Sequence, residues 1–100
     1  MWFEDKTMRT LRCRLRQAPG VLGHLLAAVG DAGGYIGEIR TLRMGSTHAL
    51  RDIVVFADNP SHLDDLIAVV KAYPDAELLE VRDEVLEMHQ GGKIAIRSRY

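Results

Sequence analysis

Hydrophobic and polar residues alternate between Thr7 and Arg16, near the start of the chain. Leu11, Cys13 and Leu15 fall on one side of this stretch, and arginines occupy the other side. A period of two residues is typical of a strand that buries one face. The pattern therefore predicts a first strand with an apolar face toward the core and a polar, arginine-rich face.

Two later stretches have the period of an amphipathic helix. The first runs from Gly20 to Ala32, and Gly33-Gly34 predicts its end. The second begins near Ser61, which forms with Asp64 an acidic variant of a helix-capping pair. The apolar positions of the two helices are Val21, Leu22, Leu25, Leu26 and Val29, then Leu63, Leu66, Ile67 and Val70. Each stripe predicts a helix that packs one side against a sheet.

Three further strands are predicted at 35–44, 48–57 and 76–88, the last with Leu79, Val81 and Val85 on one face. Gly45-Ser46-Thr47 predicts a hairpin turn, which makes the second and third strands antiparallel neighbours. The resulting order is βαββαβ. With right-handed crossovers, this order predicts an α+β, ferredoxin-like sandwich, in which two helices cover one face of an antiparallel sheet and the other face stays open.

Composition narrows the classes of function without naming one. The 100 residues predict one domain, and a formal net charge of −1 gives no reason to expect nucleic acid or a membrane surface as partner. The single cysteine, Cys13, excludes an internal disulfide and indicates a buried structural thiol. The N-terminus lacks the regions of a signal peptide, and no apolar run is long enough to span a bilayer, so we expect a cytoplasmic protein.

No group of residues suggests catalysis or a metal site, so we predict no catalytic residues and no metal ligands. The histidines are scattered without metal-ligand spacing and are interpreted as exposed; they are His24, His48, His62 and His89. The acids between Asp75 and Glu87 alternate with apolar residues, as on a solvated strand face. Gly91-Gly92-Lys93 lacks the rest of a phosphate-loop motif and is interpreted as a hinge.

The junction between the first strand and the first helix is the best candidate site. Its Pro19-Gly20 pair allows a sharp turn and a close approach of the backbone to a guest molecule. The first N–H groups of the following helix are free to bind an anion such as a carboxylate. The junction thus predicts a cradle for a small ligand and a role in sensing.

These residues resemble an ACT domain, the small-molecule regulatory module of amino-acid and central metabolism. The resemblance spans about residues 7–88 and rests on the junction, on the helix exit at 29–36 and on the order of elements. Arg51-Asp52-Ile53 and the segment at 89–94 are similar to the N-terminal ACT domain of bacterial NAD(P)-dependent malic enzymes. The resemblance implies a regulatory domain at 1–88 and a glycine-containing linker at 89–100 toward a catalytic region that is not in this chain.

The resemblance also implies the effector site and its setting. The effector-binding residues are Gln17, Ala18, Pro19, Gly20, Val21 and Leu22 in the loop, with Tyr35 and Ile36 opposite, often across the interface of a homodimer. The expected effector is an amino acid or a small carboxylate. The chain itself would be no enzyme and hold no cofactor, whereas NAD or NADP and a divalent metal belong to the catalytic region. The alternatives are a dimerisation module with a vestigial site and a small free-standing enzyme.

Overall fold

The computed structural model describes residues 5–83 and contains the predicted order of elements. The elements are β1 (Thr7–Arg16), α1 (Val21–Asp31), β2 (Tyr35–Met44), β3 (His48–Ala57), α2 (Pro60–Ala72) and β4 (Ala76–Arg82). The first three strands and both helices lie within a residue of the predicted bounds. The structure confirms the α+β, ferredoxin-like βαββαβ fold.

The four strands form one antiparallel sheet in the order β2-β3-β1-β4. β1 pairs with β3 along its full length, from Thr7 opposite Ala57 to Arg16 opposite His48. β1 and β3 are therefore the central strands, and β2 and β4 form the two edges. In β1 the side chains alternate between the face that the helices cover and the opposite face, which we call the open face.

The core lies between the helices and the covered face of the sheet. It contains Leu11, Cys13, Leu15, Val21, Leu25, Val29, Ile53, Val55, Ala57, Leu63, Leu66 and Val70. Cys13 is fully buried, and burial raises the pKa of its thiol to about 12. The prediction of a buried thiol is confirmed, because Cys13 packs within this core.

The prediction for β4 is wrong in its face and in its end. Leu78 packs against the core and Val81 stands opposite Leu11, whereas Leu79 lies between them without a partner in the register and is 47% exposed, so Leu79 and Val81 do not share a face. The cause is a register shift between Arg12 and Cys13, opposite which β4 carries one extra residue and loses its alternation. The strand ends at Arg82. The rest of the predicted strand, with Val85, and the predicted hinge lie outside the described residues.

The ends of the helices follow local chemistry. Gly33 has φ +88°, and the N–H of Gly34 donates to the Val29 carbonyl at 3.0 Å, which confirms the glycine stop of α1. The predicted cap of α2 is wrong: Asn59, not Ser61, is the capping residue. The Asn59 side chain accepts the N–H of His62 at 2.8 Å. Pro60 then fits the first helical position, where no N–H is needed.

The prediction that all histidines are exposed is wrong for His62, which is half-buried and structural. The Nδ1 atom of His62 accepts the N–H of Asp58 at 2.9 Å, which leaves Nε2 to donate to the Ala32 carbonyl at 2.8 Å. The ring therefore joins the start of α2 to the end of α1. His24 and His48 are exposed as predicted, and His89 lies outside the described residues.

Candidate functional site

The loop between β1 and α1 turns on Gly20. This residue precedes α1 with φ 83° and ψ −11°, a left-handed conformation that is strained for residues with a Cβ atom. It provides no side chain to cap the helix, and the first turn of α1 contains no acidic residue. The turn therefore leaves the positive end of the helix dipole without a countercharge from its own first turn.

Two backbone donors at this end of α1 are open. The N–H of Val21 donates to the Ala18 carbonyl at 3.3 Å, and that of His24 donates to the Gly20 carbonyl at 2.9 Å. Between them, the N–H groups of Leu22 and Gly23 have no backbone acceptor within residues 5–83. Adjacent free N–H groups at a helix start can together hold one anionic group.

Neighbouring elements fix the loop in place. The Gln17 backbone N–H donates to the Thr47 carbonyl at 2.8 Å, and its side-chain Nε2 lies 3.6 Å from the sulfur of Met44. The hydroxyl of Tyr73 donates to the Val21 carbonyl at 3.3 Å. The loop is thus held between the β2–β3 hairpin on one side and the end of α2 on the other.

The six predicted loop residues differ in where their side chains lie. Val21 is buried in the core, and Ala18 and Leu22 pack against it. Pro19 and Gly20 are exposed, and Gln17 is half-buried. A ligand at this loop would consequently meet backbone groups and the amide of Gln17, while the three packed side chains hold the turn.

The structure does not bring Tyr35 and Ile36 to this loop within one chain. Both begin β2, where they pair with Phe56 and Val55. The loop, in contrast, lies beside Met44, at the other end of β2. Nine residue steps of extended strand, from Tyr35 to Met44, separate the two groups, a distance of about 30 Å. The two groups can therefore form one site only if a second chain contributes one of them.

Sequence reasoning missed three residues around the loop. The ring of His24 lies over the turn, since a Cβ atom placed on Gly20 would stand 3.3 Å from its Cε1. This residue could have been found, because positions four apart share one side of a helix. Tyr73 and Met44 are distant in sequence, and no local pattern connects either of them with the loop.

The motif Arg51-Asp52-Ile53 places a carboxylate inside an ionic cluster on the open face. Asp52 is 3% exposed and accepts a two-pronged pair of hydrogen bonds from Arg12, Nε at 2.8 Å and Nη2 at 3.0 Å. Arg82 Nη2 donates to the same carboxylate at 2.8 Å. Charge-assisted bonds of this geometry compensate the cost of burying Asp52. This cluster ties β3, β1 and β4 together and is structural.

Residues 5–83 contain no group of three or more His, Cys, Asp or Glu side chains that could hold a metal ion. In the same part of the chain, neither helix is long and apolar enough to cross a membrane. The site that the described residues do present is a backbone cradle at the start of α1.

The chain is similar to segments of two malic enzymes. NAD-dependent malic enzyme 1 of Bacillus subtilis (strain 168) is 40% identical over 93 residues, which are 92% of this chain and 21% of that enzyme. NAD-dependent malic enzyme of Geobacillus stearothermophilus is 31% identical over 90 residues, 90% of this chain and 19% of that enzyme. The chain thus spans about a fifth of the length of these relatives. No family model matches it.

The fold is that of an ACT domain. The ACT domain from GTP pyrophosphokinase of Chlorobium tepidum superposes with a TM-score of 0.61 at 12% identity, covering 76% of this chain and 97% of that domain. At this identity the likeness concerns the fold alone. Together with the sequence similarity, it fits an ACT domain of a malic enzyme.

Proposed function

We propose that this chain is an effector-binding regulatory domain that controls a malic enzyme catalytic region outside its 100 residues. The effector is a small amino acid or carboxylate. The observation that carries the proposal is the start of α1, where the N–H groups of Leu22 and Gly23 are open and the first turn contains no acidic residue. A carboxylate there gains two backbone hydrogen bonds and the field of the helix dipole.

Gln17 and His24 flank this anion position and would select the rest of the effector. The Gln17 amide can both donate and accept, so it suits the amino or hydroxyl group of a small acid. The exposed His24 ring lies beside the turn and adds a further polar group. Neither side chain is arranged for bond breaking, which supports binding without chemistry in this domain.

A homodimer would complete the site. β2 is an edge strand, and four of its side chains are exposed and apolar: Tyr35, Ile39, Leu42 and Met44. β4, the other edge, is shorter and carries the acids Glu77 and Glu80. A longer edge strand offers more backbone groups and more exposed apolar side chains for pairing with another strand, and the acids on the shorter edge oppose it. We therefore place the dimer interface along β2.

Antiparallel pairing of two β2 strands about a twofold axis has a direct consequence for the effector. It lays the first residues of one β2 beside the last residues of the other. Tyr35 and Ile36 of one chain then approach the Met44 end of its partner, where Gln17 and the loop lie. Two copies would thus assemble the site whose halves are about 30 Å apart in one chain.

The catalytic chemistry belongs to the region outside this chain. Oxidation of malate with NAD or NADP requires a dinucleotide-binding fold, and the accompanying decarboxylation requires a divalent metal. The described residues contain no group of three or more His, Cys, Asp or Glu side chains that could hold a metal. The regulatory domain would act by changing its own dimer geometry when the effector binds. We place the whole protein in the cytoplasm.

A second candidate function is dimerisation without a ligand. The exposed apolar side chains of β2 favour it, because they give the domain a reason to pair whether or not the loop is occupied. The two candidates share the dimer and differ only in the loop.

Calorimetric titration of the chain with a panel of amino acids and dicarboxylates tests the effector site. We expect one ligand to bind, and Gln17→Ala to weaken it a few-fold to about tenfold through a lost hydrogen bond worth about 0.5–1.5 kcal/mol. Ser61→Ala removes a polar group at the exposed start of α2 and should leave the affinity unchanged. Absence of binding across the panel, with the dimer intact, leaves dimerisation as the function.

Sedimentation equilibrium tests the interface. We expect about twice the chain mass of 11.2 kDa. Ile39→Lys on β2 should give a monomer and abolish effector binding, since both halves of the site are then separated. Val81→Lys places the same charge on β4 and should leave the dimer intact. A wild-type monomer at tens of micromolar would refute both candidates.

A further inference from the structure

A cavity lies on the open face, beside the β1–α1 loop. It has a volume of about 400 Å³ and lies where the β2–β3 hairpin meets β1 and β4. Arg14, Leu50 and Arg43 line it from three adjacent strands, in register with one another. His48 lines it from the start of β3, and Leu79 from the bulge of β4. Its size is that of a site for a small molecule.

The charged side chains of this cavity are Arg14 and Arg43, Thr47 and His48 add a hydroxyl and an imidazole, and no acid is among its lining residues. Within residues 5–83 the guanidinium of Arg43 makes no hydrogen bond or ion pair. Arg14 has an acid within reach, Glu77 at 3.6 Å, but both side chains are more than half exposed. An exposed pair of this kind contributes little and is easily exchanged for another anion.

The neighbouring parts of the open face are neutralised. A smaller cavity of about 210 Å³ shares Arg14 and His48 with the 400 Å³ cavity, but Asp75 and Glu77 also line the smaller one. There Arg16 makes a two-pronged pair with Asp75, at 2.8 and 3.2 Å. Toward the other end of the face, the buried Asp52 engages two further arginines. Uncompensated positive charge is therefore concentrated in the larger cavity.

We propose that this cavity binds a small organic dianion of about the size of a four-carbon dicarboxylate. Arg14 and Arg43 stand on opposite sides of Leu50, so each can engage one acidic group, and guanidinium forks suit carboxylate oxygens. Leu50 and the half-exposed Leu79 provide an apolar wall for the carbon chain. The site shares no lining residue with the loop at 17–22 and does not depend on the proposed effector.

Amide NMR of the 100-residue chain, titrated with succinate at fixed ionic strength, tests this site. We expect saturable shifts at Arg14, Arg43 and Leu50, and weaker binding of inorganic phosphate, which gains nothing from the apolar wall. Arg43→Gln should lower the affinity for succinate by about tenfold or more. Arg40→Gln removes the same charge from an exposed position of the same strand and should change the affinity less than twofold.

Several results would overturn the proposal. One is that the shifts are confined to the amides of Leu22 and Gly23, and another is that Arg40→Gln lowers the affinity for succinate as much as Arg43→Gln does. The proposal is also overturned if phosphate binds as tightly as succinate, or if the shifts depend on protein concentration and not on succinate, as they would if a second copy of the chain bound to this face. Gln17→Ala separates the two sites, because it should weaken the loop ligand and leave succinate binding unchanged. Arg14→Gln repeats the test should Arg43→Gln fail to fold.

Discussion

The two faces of the sheet are stabilised by different interactions. On the covered face, Leu11 and Leu15 of β1 are buried by the helices and need no polar partners. On the open face, Arg12 and Asp52 are held by directed, charge-assisted bonds with no helix above them. The stabilisation from apolar burial grows with the buried area, and an apolar side chain can pack against many different neighbours. A buried carboxylate, in contrast, requires hydrogen-bond donors at particular positions. The open face is therefore the less tolerant of substitution at its centre.

The open face itself contains two similar ion pairs in different surroundings. Arg12 donates two hydrogen bonds to the carboxylate of Asp52. Four residues further along β1, Arg16 donates two hydrogen bonds to Asp75 with nearly the same geometry. The Asp52 side chain is 4% exposed and that of Asp75 is 32% exposed. Geometry alone does not set the strength of such a pair; the exclusion of water does.

The largest expected effect comes from removing the buried carboxylate. Asp52→Ala should lower the free energy of unfolding by about 3–5 kcal/mol, because it removes the buried carboxylate that both Arg12 and the buried Arg82 bind. Urea denaturation followed by circular dichroism measures the loss. Asp75→Ala is the matched control and should cost much less. Equal losses in the two variants would show that burial does not distinguish the pairs.

A smaller effect is expected at the start of α1, on the covered face. Gly20→Val should destabilise the chain by about 1–2 kcal/mol, since a β-branched residue is strained at φ +83° and its Cβ would crowd His24. Gly23→Ala should be neutral or stabilising by up to about 1 kcal/mol, because nothing lies within 4 Å of its added Cβ. Thermal unfolding compares the two. Similar melting temperatures would remove the special role of the turn.

The smallest expected effect is on the melting temperature at acidic pH. The hydrogen bond from Arg16 holds the pKa of Asp75 below its ordinary value of 3.8. Because the pKa is lowered in the folded chain, the contribution is present above pH 3.8 and is lost as the pH falls through the folded value. Asp75→Asn should slightly flatten the fall of the melting temperature between neutral pH and about pH 2. An unchanged slope would mean that the exposed pair contributes nothing.

The sequence by itself determined the elements and the division between the faces. The two-residue period of β1 separates Cys13 from Arg12 and Arg14, and this separation is an unavoidable property of an extended backbone. Gly33 marked the end of α1 for an equally local reason. The sequence also contains two competing start signals for α2, Asn59-Pro60 and the Ser61–Asp64 spacing, and the structure uses Asn59-Pro60.

The tertiary structure decided everything that depends on contacts between distant residues. The bulge that turns Leu79 outward is set by pairing with β1, and the role of His62 is set by the carbonyl of Ala32, thirty residues away. The distance between Tyr35 and the loop follows from the length of β2, because the loop lies beside the far end of that strand. Alternation fixes which face a residue occupies, but only the pairing of strands fixes its neighbours, because register and charge compensation arise between segments that no local pattern connects.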